Sequence, residues 1–290
     1  MRSAVIAFCF LLTSGLYAKE PIDYVDPLIG TDTGPEFSNG NSFPAVSMPF
    51  GMTTWTPQTG EKNWLYTYAA DSIQGLRATH SPSVWMGDYG SFTVMPMLGA
   101  VETNAKRRAS KFSHATEEAH PHYYKVLLKK HGIVAEMSPS MRGAVMQFTF
   151  PPSREAVVIL DAHPGRGEVE IVPEKQRIFG HSDYPGYRHV PNFRFHYVLQ
   201  FNSPFTSHGT SNPKGFYPTV QQSGYHVGAY ARFNTTKDPM VTVSIGTSFI
   251  SREQAVLNLE REIGDRDLAA VRKAARSRSP ISRSRLRTAC

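Results

Sequence analysis

Cysteine is almost absent from this sequence. Cys9 and Cys290, both close to the ends, are its only two cysteines in 290 residues. Secreted domains that are too small for a large core are held together by several disulfides, and structural zinc sites commonly use several thiolates. Neither arrangement can be built within the body of this chain.

Charged residues are also scarce, and the excess of positive charge is almost confined to the two ends of the sequence. Charged residues make up 19% of the sequence, and the net charge is +7. Five of the positive charges are arginines within residues 276–290, which contain no acidic residue, and residues 1–18 add Arg2 alone. Residues 19–275 therefore carry only +1. Nucleic-acid binding needs a basic surface, so no nucleic-acid partner is predicted for the body of the chain.

Long hydrophobic runs are missing too. The longest apolar stretch, Ala4–Leu12, follows Arg2 and precedes the small residues that end at Ala18. A bilayer-spanning helix needs about 20 apolar residues, whereas this shorter pattern is typical of a secretory signal. We predict a signal peptide at residues 1–18, no membrane span, and a secreted or periplasmic protein.

Alternating apolar and polar residues dominate residues 90–250. In Asn192–Asn202, aromatic or aliphatic residues occupy every second position from Phe193 to Phe201, and mostly polar residues lie between them. This period of two predicts a half-exposed strand of an antiparallel sheet. Further strands are predicted at Tyr123–Lys129, Ile133–Ser138, Gly143–Phe150, Ala156–Ala162, Tyr225–Phe233 and Met240–Ile250. We predict a mainly β fold, an antiparallel β-sandwich (supersandwich) over residues 19–250.

Residues 24–90 have weak periodicity but are rich in glycine, proline and aromatic residues. Long irregular segments are usually either functional or disordered, and the aromatic content argues against disorder. We predict an ordered surface built from loops, and the functional site is expected there.

The end of the sequence has helical spacing. Ser251 and Gln254 have the spacing of a capping box, and Leu259, Ile263 and Leu268 belong to apolar stripes. We predict connector helices at residues 251–275, whose apolar stripe lacks a docking surface and would promote aggregation of the isolated chain. Residues 276–290 are expected to form a disordered Arg/Ser tail, which suggests truncation or a shifted reading frame.

Two dense segments carry the candidate chemistry, residues 41–52 and residues 75–90. Trp64 and Trp85 could stack on a sugar ring, and polar side chains nearby could hold its hydroxyl groups. These polar candidates are Asn41, Arg77, His80 and Asp88. In the alternative interpretation, the aromatic residues fill the sandwich and Asp88 caps a turn. His120 and His122 flank Pro121, and a surface pair is favoured over a metal site.

These segments resemble glycoside hydrolase family 92, the exo-acting α-mannosidases. The matching stretches are YVDPLIGT at residues 24–31, NSFPAVSMPFGM at residues 41–52 and GLRATHSPSVWMGDYGSFTVMP at residues 75–96, with a connector-like helix at residues 253–263. The resemblance extends over residues 24–275. This chain has Thr79-His80-Ser81-Pro82-Ser83 where the family commonly has THLSG.

The resemblance implies an N-terminal β-sandwich that pairs with a C-terminal (α/α)6 domain in a calcium-dependent, inverting hydrolase of mannose-containing glycans. It places the catalytic carboxylates and calcium ligands mainly on the (α/α)6 domain. No catalytic or metal-binding residue is therefore assigned here, and Asp71, Asp88 and Asp161 are not given that role. The residues expected to face the sugar are Asn41, Phe43, Trp64, His80, Trp85 and Asp88.

Two functional hypotheses follow from the sequence. In the first, the chain is the N-terminal carbohydrate-binding module of a secreted α-mannosidase and is inactive without the (α/α)6 domain, which is missing or separate. In the second, it is a stand-alone secreted carbohydrate-binding β-sandwich without hydrolase activity. No calcium is expected in this chain under either hypothesis.

Overall fold

A computed structural model describes residues 19–32, 42–60, 65–82, 86–162, 165–186 and 190–278. The predicted signal peptide at residues 1–18 and the tail beyond residue 278 lie outside the described residues. Eighteen strands and three α-helices are present in the described part. The strands are β1 Thr54–Gln58, β2 Ser72–Ile73, β3 Gly75–Thr79, β4 Phe92–Leu98, β5 Ser110–Lys111, β6 Glu118–His120, β7 Tyr123–Leu128, β8 Ile133–Pro139, β9 Gly143–Thr149, β10 Ala156–Asp161, β11 Arg166–Val172, β12 Arg177–Ser182, β13 Phe195–Phe201, β14 Ser207–Asn212, β15 Gly215–Tyr217, β16 Gln221–Tyr225, β17 Gly228–Phe233 and β18 Met240–Ser248. The helices are α1 Ala105–Arg108, α2 Arg252–Glu262 and α3 Leu268–Arg278.

Two large antiparallel sheets contain sixteen of these strands, which confirms the predicted β-sandwich. One sheet has the strand order β1-β3-β4-β10-β17-β14-β15, and the other β16-β11-β12-β13-β18-β9-β8-β7-β6. Side chains from the inner faces of both sheets form one buried core. The Trp55 indole of β1 crosses this core and donates to the Gly143 carbonyl oxygen of β9 at 3.1 Å.

Strand β13 shows how the alternating pattern becomes a core. Phe195, Tyr197, Leu199 and Phe201 are buried in the core between the sheets. On the opposite face Val198 is also buried, because it packs against helix α2. The predicted half-exposed strand is therefore covered on both faces along this part of its length.

Helices α2 and α3 lie on the outer face of the nine-stranded sheet. Sheet residues Tyr123, Val145, Phe179 and Val198 form one buried cluster with helix residues Ala255, Leu259, Ile263, Leu268 and Val271. Ser251 caps α2 as its spacing predicted, because its hydroxyl accepts from the Gln254 amide at 3.1 Å. The expectation of an undocked stripe was wrong, because the chain's own sheet supplies the apolar partner surface.

Two local predictions also need correction. The strand predicted over Tyr225–Phe233 begins at Gly228, because His226 has a φ of +51° and the chain passes there from β16 of the nine-stranded sheet, which ends at Tyr225, to the seven-stranded sheet. Helix α3 continues beyond Ala275 to Arg278, and Arg276 pairs with Asp23 at 2.7 Å. The described helices include none with the length and apolar character that a membrane crossing requires.

Residues 24–90 contain more regular structure than their sequence suggested. Strands β1 and β3 pair from Thr54–Thr79 to Gln58–Gly75. Every residue of β3 is buried. Because both faces of β3 are covered, its sequence cannot show the alternation that identifies a half-exposed strand. The prediction of a purely loop-built region was wrong for these strands.

Candidate functional site

One end of the sandwich gathers the described parts of both dense segments. Strand β3 ends at Thr79, β4 begins at Phe92, and the connection between them contains His80 and Asp88. The residues that follow the other segment begin with Thr53, immediately before β1. The Thr53 hydroxyl lies 3.1 Å from His80 Nε2, so a direct hydrogen bond joins the second segment to the residue that directly follows the first. We call this region the His80 end.

A buried ion pair fixes the connection after β3. Arg77 donates from Nε and Nη2 to Asp88 Oδ2 at 2.9 Å, and both side chains are nearly inaccessible. Asp88 Oδ1 accepts from the backbone amides of His80 at 2.9 Å and Tyr89 at 2.8 Å. Both carboxylate oxygens are thus engaged within the protein. Asp88 performs the turn-holding role that the sequence offered as the alternative to sugar binding.

His80 is held in one orientation beneath the surface. Its Nδ1 lies 2.9 Å from the Tyr89 carbonyl oxygen. A carbonyl oxygen can only accept, so Nδ1 carries the proton and a neutral His80 accepts at Nε2 from Thr53. Thr53 also lies 3.1 Å from Thr247, which is 194 residues away in sequence. Burial lowers the pKa of His80, which favours the neutral imidazole.

Aromatic side chains surround His80. The Phe195 and Phe249 rings meet its imidazole edge-on, with centroids 4.6 Å and 4.9 Å away, and Tyr89 stacks on it at 5.2 Å. Phe193 extends the cluster outward, 5.7 Å from Phe249. Tyr89 is 36% exposed and gives the cluster an accessible aromatic ring. Such a surface suits the apolar C–H groups of a sugar ring.

The segment before β1 is anchored to both sheets. Val46 pairs with Trp55 of the seven-stranded sheet, and the Ser47 amide donates to the Pro121 carbonyl oxygen beside the nine-stranded sheet at 2.9 Å. Phe50 has a φ of +58° and is 97% exposed. An exposed aromatic residue in a left-handed conformation is uncommon, and Phe50 is thereby presented to solvent at the turn before Gly51.

Phe43 lines an apolar groove next to the His80 end. This groove has a volume of about 430 Å³, and its other walls include Ile22, Met48, His122 and Ala275. Phe43 also packs against the core of the sandwich. The structure therefore gives Phe43 a partly structural position, and its predicted contact with a sugar stays a prediction.

The remaining predicted sugar-facing residues, Asn41, Trp64 and Trp85, lie outside the described residues. Trp85 belongs to the connection that contains Asp88, between described Pro82 and Met86. Trp64 lies in the connection from β1 to β3, which leaves β1 after Gln58. Thr54 and Thr79 mark the opposite end of this strand pair. The described flanks of Trp64 are thus separated from His80 by the length of β1, and the sugar-facing roles of all three residues stay predictions.

Several residues of the His80 end were not singled out by sequence reasoning. Thr53 and Phe249 contact His80, Phe193 contacts Tyr89, and Thr247 contacts Thr53. They carried no local motif, because only the pairing of strands brings them to one end. The repeated placement of aromatic residues where predicted strands begin or end was the one available signal.

The carboxylates that the sequence analysis declined to make catalytic lie in separate pairings. Asp88 pairs with Arg77, Asp161 with buried Arg108, and exposed Asp71 with Lys111. In the part of the chain that the structure describes, no group of three His, Cys, Asp or Glu residues could hold a metal ion. His120 and His122 stack with centroids 5.5 Å apart, without a third ligand among those residues. The described residues do not fit the calcium site that the family implies, and we assign no chemical step to a metal.

Comparisons with known proteins place this domain in a family. Residues 24–248 match the glycosyl hydrolase family 92 N-terminal domain. An uncharacterized secreted glycosidase of Arthroderma benhamiae is 25% identical over 303 aligned residues, which cover 91% of this chain and 39% of that protein.

Solved structures show the same architecture. A family 92 inverting mannosidase from Bacteroides thetaiotaomicron superposes with a TM-score of 0.84 and 35% identity, covering 89% of this chain and 35% of that one. A second family 92 enzyme of that organism, an α-mannosidase solved with mannoimidazole, gives a TM-score of 0.78 at 23% identity, covering 90% of this chain and 36% of that one. The present chain thus spans little more than a third of the length of these relatives.

Proposed function

This chain belongs to glycoside hydrolase family 92, because residues 24–248 match the N-terminal domain of that family. We propose that the chain forms the sugar-facing N-terminal part of a secreted α-mannosidase. The observation that carries this proposal is the Thr53–His80 hydrogen bond, which ties the residue directly after one family-like segment to the other segment at one end of the sandwich. The substrate class would be glycans with terminal α-mannose, and the named relatives with mannosidase activity support it.

The contacts of the acidic side chains support a separation between sugar binding by this domain and catalysis by another domain. Inverting hydrolysis needs one carboxyl group to protonate the leaving oxygen and another to activate water, about 6.5–9.5 Å apart. Asp88 is the acidic residue nearest to His80 along the chain, and both of its oxygens are engaged by internal donors. We therefore give the described residues sugar-binding and positioning roles, and we assign the proton-transferring carboxylates and calcium ligands to a catalytic (α/α)6 domain.

The residues of the proposed site would form layers, in which each inner residue supports the one nearer to the surface. Arg77 holds Asp88, and Asp88 fixes the connection that contains Trp85. His80 and the neighbouring rings support this connection from below. Trp85 would then stack on the terminal mannose, and Asn41 would bind its hydroxyl groups. Phe43 would border the same surface through the groove.

Titration of the purified full chain with methyl α-D-mannopyranoside tests the binding role. Isothermal calorimetry of wild type and Trp85→Ala should show saturable heat that the substitution removes. Phe216→Ala is the matched control, because Phe216 is an exposed aromatic residue on β15, at the opposite edge of the seven-stranded sheet from β1, and binding should persist. Equal loss in both variants, or no heat with wild type at millimolar sugar, would contradict a sugar site at the His80 end.

An activity assay tests the catalytic half of the proposal. The chain incubated with calcium and an α-mannobiose should release no mannose above the blank, because the proton-transferring carboxylates are assigned to the (α/α)6 domain and Asp88 is engaged by internal donors. Turnover by the chain would show that catalytic carboxylates lie within this sequence and would overturn the proposed division of labour.

The docked helices favour a second candidate, a stand-alone carbohydrate-binding domain. Leu259, Ile263 and Leu268 are buried on the domain's own sheet, so they leave no apolar stripe that requires another domain. The two candidates are distinguished by mixing this chain with a separately expressed (α/α)6 domain of a family 92 mannosidase and measuring hydrolysis against that domain alone. Restored mannoside hydrolysis on mixing supports the α-mannosidase, whereas sugar binding without any restored turnover supports the stand-alone domain.

A further inference from the structure

A polar cavity lies on the outer face of the seven-stranded sheet. Its volume is about 610 Å³, within the usual range for small-molecule sites. Its floor is one row of residues aligned across five strands. The row consists of Arg77, Thr93, Asp161, Gly228 and Ser211, in the order of strands β3, β4, β10, β17 and β14. Four strand spacings make this row about 19 Å long.

Glycine at position 228 allows two polar groups of this row to come together. A Cβ at that position would lie 2.6 Å from Ser211 Oγ, 2.7 Å from the Leu160 carbonyl oxygen and 3.3 Å from Asp161 Oδ1. No side chain fits there without displacing its neighbours. The hydroxyl and the carboxylate therefore approach each other across Gly228, and the floor is continuous.

Arg108 supplies an observation that points to a ligand. It lines the cavity, it is 1% exposed, and its Nη1 donates to the Thr103 carbonyl oxygen at 2.9 Å while Nη2 pairs with Asp161. Its Nε is buried and has no hydrogen-bond partner. Leaving a buried charged donor unsatisfied is unfavourable, and such groups in native proteins usually have a function or a bound partner.

The charges at the cavity balance, which argues against an ion as the ligand. Arg77 pairs with Asp88, Arg108 with Asp161, and Arg107 with Glu102 at 2.7 Å. Each of the three guanidinium groups that line the cavity is thus paired with a carboxylate, of which Asp161 also lines it, so the three pairs together carry no net charge that would select an anion or a cation. What remains is a mixture of hydroxyl, amide, carboxylate and guanidinium groups that both donate and accept.

The lining also excludes flat apolar ligands. Among the described lining residues, the imidazole of His226 is the only ring besides Pro213. Without an aromatic platform, recognition depends on hydrogen bonds along the row. We propose that this cavity binds a neutral saccharide of one or two rings, separately from the His80 end, with Arg108, Thr93 and Ser211 as binding residues.

This site is tested with the full chain in the Trp85→Ala background, which removes the binding proposed for the His80 end. Ligand-observed saturation-transfer NMR is performed with D-glucose, maltose and inorganic phosphate. At least one of the two sugars should bind saturably, and phosphate should not. Binding of phosphate alone, or of no probe at millimolar concentration, would overturn the proposal.

Location is tested by a double variant, Thr93→Val with Ser211→Ala, which removes two hydroxyl groups without adding volume. Sugar affinity should fall about tenfold or more, as expected for the loss of two hydrogen bonds. Thr149→Val, on the other sheet, is the matched control and should retain affinity. Circular dichroism establishes that both variants fold, and equal affinities in both would place the sugar elsewhere.

A crystal of the full chain soaked with the sugar that binds gives an independent result. Density for the sugar against Arg108 and Thr93 supports the site. Ordered water alone at Arg108 Nε would instead explain the buried donor and would refute a saccharide site. Because these readouts do not depend on mannoside binding at Trp85, their failure is distinguishable from failure of the proposed function.

Discussion

The two outer faces of this sandwich differ in polarity and in what covers them. The outer face of the nine-stranded sheet is apolar under α2 and α3, where Val145, Phe179 and Val198 meet Leu259. The outer face of the seven-stranded sheet presents Arg77, Thr93, Asp161 and Ser211 to a cavity. Apolar surface gains free energy when it is covered, whereas a polar row needs partners for each group. The first face is thus structural, and the second is suited to binding.

Among the substitutions that test this comparison, Asp88→Asn should lower the stability of the domain most, because the polar face depends on paired charges. The substitution leaves the buried Arg77 guanidinium without its carboxylate, and the free energy of unfolding should fall by about 4 kcal/mol. Urea denaturation measures the change. Asp71→Asn alters an exposed pair with Lys111 and should leave the denaturation midpoint unchanged. Equal midpoints for the two variants would refute a dependence on the buried pair.

Leu259→Ala tests the apolar face. Leu259 is 4% exposed between α2 and the sheet, and removing its side chain should lower the free energy of unfolding by about 3 kcal/mol. Leu257 is half-buried on the same helix, so Leu257→Ala should cost about 1 kcal/mol. Thermal or urea unfolding of both variants provides the measurement. If both substitutions had the same small effect, α2 would not be docked as described.

Acid should weaken the domain through His122, which lies beside α3 at the edge of the covered face. Burial, and then the nearby His120, Arg276 and Arg272, lower the pKa of His122 to about 4. An unfolded histidine has a pKa of about 6.5, so the unfolded chain gains a proton first as the pH falls. Stability should therefore be lost between pH 6.5 and pH 4, by about 3 kcal/mol.

Unfolding free energies measured across that pH range in wild type and His122→Gln check this prediction. The variant has no titrating group at this position, so its stability should change less steeply with pH. Parallel profiles for the two proteins would show that another group causes the acid sensitivity.

The smallest effect is expected at the end of α3. Arg276 pairs with Asp23 at 2.7 Å, and both side chains are partly exposed. Arg276→Ala should lower the Tm by about 1–3 °C, because exposed ion pairs contribute little. Lys273→Ala, on the same helix, is the control. A drop in Tm as large as that of Leu259→Ala would mean that the pair, rather than apolar packing, holds α3.

Sequence reasoning succeeded where one face of an element differs from the other. The alternation in β13 predicted a strand, and the spacing of Ser251 and Gln254 predicted the start of α2. It failed for β3, since a strand buried on both faces has no alternation. It also began the strand of Gly228–Phe233 three residues early, because nothing local indicated that the chain changes sheets at His226.

The candidate site was predicted in part. His80 and Asp88 were identified from a family-like segment, but their roles differ once their partners are known. Asp88 is turned inward to Arg77 and to backbone amides, and His80 is supported by Phe249 from a strand far away in sequence. The row from Arg77 to Ser211 was beyond prediction, since strand register alone aligns its members.

By itself, the sequence determined the β class, the family and the segments of the candidate site, because composition, periodicity and contiguous motifs are local properties. Only the tertiary structure decided that Thr53 meets His80, that α2 has a sheet to cover, and that polar residues of five strands form one floor. Each of these depends on which strands become neighbours and in what register, and that is settled by packing across the whole domain.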